Sequence, residues 1–169
     1  MLLAPLRKKF RLASDEDGSA LVEFAASGIL LALVLFGVMD TARALYIDNF
    51  VANGAREAVR YAMMRGATWK GTSCAAPGTE ECDATADNVT SYLQSVAPAG
   101  VSTSANYLTV STTWPGTTPS GAACSATGVN NSPGCVVRVN VTYSFAYLFP
   151  FMPKGALTLA STSAMAISQ

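Results

Sequence analysis

Glu23 is the single charged residue in an apolar run, SALVEFAASGILLALVLFGVM, that extends from Ser19 to Met39. A carboxylate there costs about 2.5–3.5 kcal/mol at the centre of a bilayer, and less near its surface. It therefore needs either a route to water or a cation. A cut between Gly18 and Ser19 would supply the cation, because the new α-ammonium of Ser19 is a compact positive charge. Glu23 would then be the fifth residue of the shortened chain. When such helices pack side by side, Glu23 of one copy would neutralise the Ser19 amine of its neighbour and set their register, as a buried polar group does in a coiled coil. The plainer alternative is that Glu23 reaches the headgroups and has no further role.

The remaining candidates for chemistry are few. The chain has no histidine, which removes the usual general base and the commonest metal ligand, and with them every His-based catalytic or zinc arrangement. Cys74, Cys82, Cys124 and Cys135 form an even set. They lack C-x-x-C spacing, so disulfides are expected rather than a zinc site. Four cysteines allow three pairings, and proximity in sequence favours Cys74–Cys82 with Cys124–Cys135. Glu80, Glu81, Asp83 and Asp87 gather around Cys82 without the spacing of a calcium loop, and read as a solvated acidic stretch. Trp69 and Trp114 read as partial core rather than contact residues. No phosphate loop or nucleophile elbow is present. The expectation is a protein that is not an enzyme and needs no cofactor or metal.

Charge and composition set the context. Only 13% of residues are charged and half are hydrophobic, against about 25% charged in ordinary soluble chains. Formal net charge is zero, so nothing draws a phosphate backbone and no nucleic-acid partner is expected. Arg7, Lys8, Lys9 and Arg11 precede the apolar run, whereas Arg43 and Arg56 are the basic residues that soon follow it. This bias predicts a cytoplasmic N-terminus and an exported C-terminal part, where disulfides persist.

The elements that position these residues follow from periodicity. The 21 residues from Ser19 to Met39 would measure roughly 31 Å as a helix, close to the ~30 Å of bilayer hydrocarbon, and a spanning segment must be helical to satisfy its own backbone. The helical pattern continues to Gly66, with Ile47, Val51, Ala55, Ala58 and Ala62 as one apolar stripe. Asp40 with Arg43, and Glu57 with Arg60, are spaced as surface i,i+3 pairs; Gly54 is the weak point of the helix. Asp83 to Ala97 reads as a short helix capped by Thr85 or Asp83, with Val89, Tyr92, Leu93 and Val96 as its apolar face and Pro98-Ala99-Gly100 as its stop. Strand patterns follow at Tyr107–Trp114, at Val137–Tyr147 with strict alternation, and at Leu157–Ile167. The fold class is α+β: a long N-terminal helix with a small antiparallel sheet packed on its outer half. The organisation is a leader over 1–18, a spanning helix over 19–39, its amphipathic continuation over 40–66, and a stapled extracytoplasmic domain over 67–169.

Gly18-Ser19-Ala20-Leu21-Val22-Glu23-Phe24, after a basic and then polar leader, resembles the processing site of type IV pilins. The wider pattern is similar to TadE-like pseudopilins of the tight-adherence (Tad/Flp) pilus: Val22-Glu23-Phe24, a leucine-rich span, Asp40, Arg43-Ala44-Leu45-Tyr46, then Ala55-Arg56-Glu57-Ala58-Val59-Arg60-Tyr61-Ala62. The resemblance covers about residues 18 to 66. It implies cleavage after Gly18 by an inner-membrane prepilin peptidase and a role as minor pilin in pilus assembly, supporting adhesion or biofilm formation. The implied partners are the major pilin, a sister pseudopilin and the inner-membrane assembly platform. The implied location is a single pass through the bacterial inner membrane with the C-terminal domain periplasmic, or incorporated into the fibre. Subunit pairing falls to Glu23 and Phe24, and helix packing to Asp40, Arg43, Tyr46, Arg56, Glu57, Arg60 and Tyr61. The competing reading is a signal-anchored binding module of the cell envelope that keeps residues 1–18.

Overall fold

A computed structural model describes residues 16–66, 84–126, 131–148 and 157–168. The elements are α1 (Glu16–Met64), α2 (Ala86–Ser95), β1 (Leu108–Thr113), β2 (Val136–Phe145) and β3 (Leu157–Ala166). This is the expected α+β arrangement. The chain divides into two compact units, Met1–Met39 and Asp40–Gln169.

In the first unit, α1 begins at Glu16 rather than at Ser19. Its large apolar side chains are well exposed, with Leu21, Phe24 and Leu30 between 66% and 79%. The helix is long and apolar enough to cross a membrane.

In the second unit, α1 carries a buried stripe of Ile47, Val51, Ala55, Ala58 and Ala62, as its periodicity predicts, widened by Val59. The sheet has order β1-β2-β3 and is antiparallel throughout. Val137, Val139, Val141, Tyr143 and Phe145 form the buried face of β2. Across the ladder, Tyr143 stands opposite Leu108 on one side and Leu159 on the other. The helix stripe and the sheet face belong to one core, which also takes in Val89 and Leu93 of α2. Burying each such side chain stabilises the fold by about 1.5–3 kcal/mol.

Helix α2 starts where Thr85 adopts an extended conformation and its Oγ1 accepts the Asn88 backbone N–H at 3.2 Å, which satisfies one of the open donors of the first turn. Gly100, at φ +88°, lies in the turn that follows. Because α2 ends at Ser95, Val96 is 40% exposed instead of extending the apolar face. Tyr92 lies at the side of the helix, where its ring stacks on Tyr61 with centroids 4.3 Å apart.

Gly54 is not a weak point. The helix runs through it unbroken, and a Cβ at that position would stand 2.7 Å from Leu93 Cδ1. The missing side chain lets α1 and α2 approach. Gly54→Val is therefore expected to lower the unfolding free energy of the second unit by about 1–3 kcal/mol, read as a lower urea midpoint at unchanged slope. Gly28→Val, where a Cβ meets nothing within 4 Å, should leave that midpoint where it is.

Candidate functional site

The segment Gly18–Phe24 lies entirely within α1. Ser19, Glu23 and Phe24 are exposed, and Phe24 is 79% so. Beyond its chain neighbours and the helix's own backbone, nothing among the described residues lies within 4 Å of a Cβ placed at Gly18. Residues four apart share a helix face, so Ser19 and Glu23 are stacked one turn apart. Both are available to a neighbouring helix.

Asp40 departs from the sequence expectation. It is 5% exposed, where a surface pair was expected. One carboxylate oxygen accepts from Arg43 Nη1 at 3.2 Å and from the backbone N–H of Leu148 at 3.1 Å. The reason for burial is tertiary: the chain leaving β2 closes over this turn of α1. The same stretch places the Arg43 guanidinium 5.3 Å from the centroid of the Phe145 ring. Periodicity along α1 identified the Asp40–Arg43 pair but held no sign of Leu148, 108 residues away.

Farther along α1, Arg56, Glu57 and Arg60 are exposed while Ala58 and Val59 between them are buried. The expected Glu57–Arg60 ion pair does not form among the described residues; a solvated i,i+3 pair gains too little to hold two long side chains together. Both instead line a surface hollow of about 460 Å³ with Tyr61, Met64, Arg65 and Tyr92. Arg65 lies over the Tyr61 ring, 4.2 Å from its centroid, and donates to the Tyr61 hydroxyl. Arg65 went unnoticed in the sequence, and Tyr92 was read there only as part of the apolar face of α2. The i,i+4 spacing of Tyr61 and Arg65 was the available signal for one, and only the fold reveals the other. Tyr46, half exposed, donates its hydroxyl to the Ala99 carbonyl at 3.5 Å.

Cys124 and Cys135 are joined, with Cα atoms 5.7 Å apart, and both are buried. This is one of the two bonds that proximity favoured; Cys74 and Cys82 lie outside the described residues, as do Trp69, Glu80, Glu81 and Asp83. Inside the stapled loop, Asn131 is 1% exposed with φ +69°, a conformation Asn tolerates better than most residues. Its side chain donates to the Ala84 carbonyl at 2.6 Å and accepts from Trp114 Nε1 at 2.7 Å. Trp114 is accordingly part of the packed unit. Asn131 was missed by sequence reasoning, which has no local signal for a contact reaching residue 84.

The model of the TadE-like protein family matches residues 18–60, the stretch of α1 on which Gly18, Glu23, Asp40, Arg43 and Arg56 to Arg60 stand. No curated protein and no solved structure matches the chain.

Asp40 yields a quantitative test. Asp40→Ala removes the acceptor of the Leu148 N–H and is expected to destabilise the second unit by about 1–3 kcal/mol. Asp40→Asn keeps an oxygen acceptor and should cost less. Equal losses in the two urea midpoints would mean that the bond to Leu148 contributes nothing.

Proposed function

We propose that this chain, TadE-like over residues 18–60, is a minor pilin of a tight-adherence pilus, processed after Gly18 and drawn from the inner membrane into, or to the base of, the fibre. The observation that carries this reading is the family match falling on an apolar helix with its acid, Glu23, exposed one turn beyond Ser19. The match supports association with the Tad pilus; the finer role is an inference from the physics of Glu23.

Before processing, Glu23 lies near one end of the apolar run, where the cost of its charge is reduced by access to headgroups. After processing, the Ser19 amine is the nearest cation in sequence. A neighbouring copy, the major pilin or a sister pseudopilin, presents an equivalent amine to the exposed face of Glu23. Within a bundle of low dielectric, an ammonium and a carboxylate without partners are each costly, so registers that pair them are favoured over those that do not. The helix is thereby extracted at a defined step. The second unit does no covalent chemistry in this scheme; it is a structural body with surfaces for partners, and Tyr46, Arg56, Glu57 and Arg60 are the exposed or half-exposed residues it offers on α1. The N-terminus is cytoplasmic and residues from Asp40 onward are periplasmic.

Two measurements test the proposal. The purified native protein should begin at Ser19 in cells with prepilin peptidase and at Met1 in cells without it. Glu23→Ala should leave the protein in the membrane fraction but abolish pili in the sheared fraction. Normal piliation in that variant would refute the pairing mechanism, and an unprocessed N-terminus would favour the envelope binding module instead.

A further inference from the structure

We propose that Leu148 and Tyr147, with Arg43 beside them, form a second membrane contact: a small patch of the folded unit that rests in the headgroup layer of the bilayer crossed by α1. The inference depends on α1 being a spanning helix. Asp40 is the next residue after the apolar run, so at about 1.5 Å per residue it stands within the first turn beyond the hydrocarbon. Its carboxylate holds the Leu148 N–H at 3.1 Å. The end of the chain leaving β2 is thereby fixed at the level where α1 leaves the lipid.

What is fixed there has the composition of an interface. Leu148 is 58% exposed, although the preceding core-facing residues of β2 are buried. Tyr147 is partly buried, its ring set edge-on against Phe145 with centroids 5.1 Å apart. The Arg43 side chain is 40% exposed, long enough for its stem to cover apolar surface while its charge faces phosphate. An outward leucine, a tyrosine ring and a cation at one level match the residues enriched where membrane meets water. A protein partner could also cover Leu148. Continuity with the spanning helix favours lipid, because this patch begins where that helix stops being apolar.

The test uses the full chain in vesicles of phosphatidylethanolamine and phosphatidylglycerol. The photo-crosslinking residue p-benzoylphenylalanine replaces Leu30, Leu148 or Met64, one at a time. Leu30, 66% exposed within the apolar run, reports the span. Met64, 50% exposed and roughly 36 Å along the helix from Asp40, reports background. Lipid adducts at sites 30 and 148 but not at 64 are expected. Adducts at 30 alone would overturn the second contact while leaving the spanning helix intact, and absence at both 30 and 148 would overturn the spanning reading itself. Equal adducts at 148 and 64, or protein adducts in place of lipid at 148, would also overturn the interfacial patch.

Discussion

One helix has to satisfy two different surroundings, and that demand shapes the rest of the chain. From Ser19 to Met39 its side chains are, Glu23 and two serines apart, apolar all round, and nearly all are exposed. From Ile47 onward they are apolar along a single stripe only. A stripe rich in alanine buries little area for each residue, so it is covered well only if its neighbours come close. Ala55, Ala58 and Ala62 permit the approach of the core that includes the β2 face, and Gly54 permits that of Leu93. The small residues that make this part of α1 a poor core by volume make it a good seat for other elements. Larger side chains on β2 and α2 supply the volume it lacks, in keeping with the close packing of protein interiors.

Asp40 stands where one regime gives way to the other. A carboxylate with little exposure is tolerated when hydrogen-bonded, and here the partners are a cation one turn on and the backbone of a distant strand end. The pairing with Arg43 is local, three residues along the same helix. The bond to Leu148 is not local, and it ties the fold of the sheet to one position on the helix. The same acid thus ends the apolar run and sets where the sheet's outgoing chain is anchored.

The elements legible in the sequence were those with a periodic or a local chemical signal. The β2 alternation, the α1 stripe and the Thr85 cap all act within a few residues, and each element lies close to where its pattern placed it. The Cys124–Cys135 bond followed from separation in sequence, a weaker guide that succeeded because the intervening loop is short. What was misread depended on partners far along the chain. Asp40 looked like a surface residue because Leu148 was out of view, and Gly54 looked like a break because Leu93 was. Glu57 and Arg60 failed in the other direction: correct spacing does not form an ion pair when water competes for both charges. Asn131, joining Trp114 to the start of α2, had no local signature beyond Asn's tolerance of positive φ.

The family match ends at residue 60, within the stripe and before the sheet begins. That boundary has a physical sense. Residues up to Arg60 include an acid one turn after Ser19, an acid ending the apolar run and a glycine where α2 packs. The sheet that covers the stripe must offer an apolar face of suitable shape, a requirement many sequences meet so long as volume and alternation are kept. A β2 face of valines and aromatics is one solution among many, whereas a carboxylate placed one position away from Glu23 would lie on a different side of the helix, turned about 100° from where Glu23 stands.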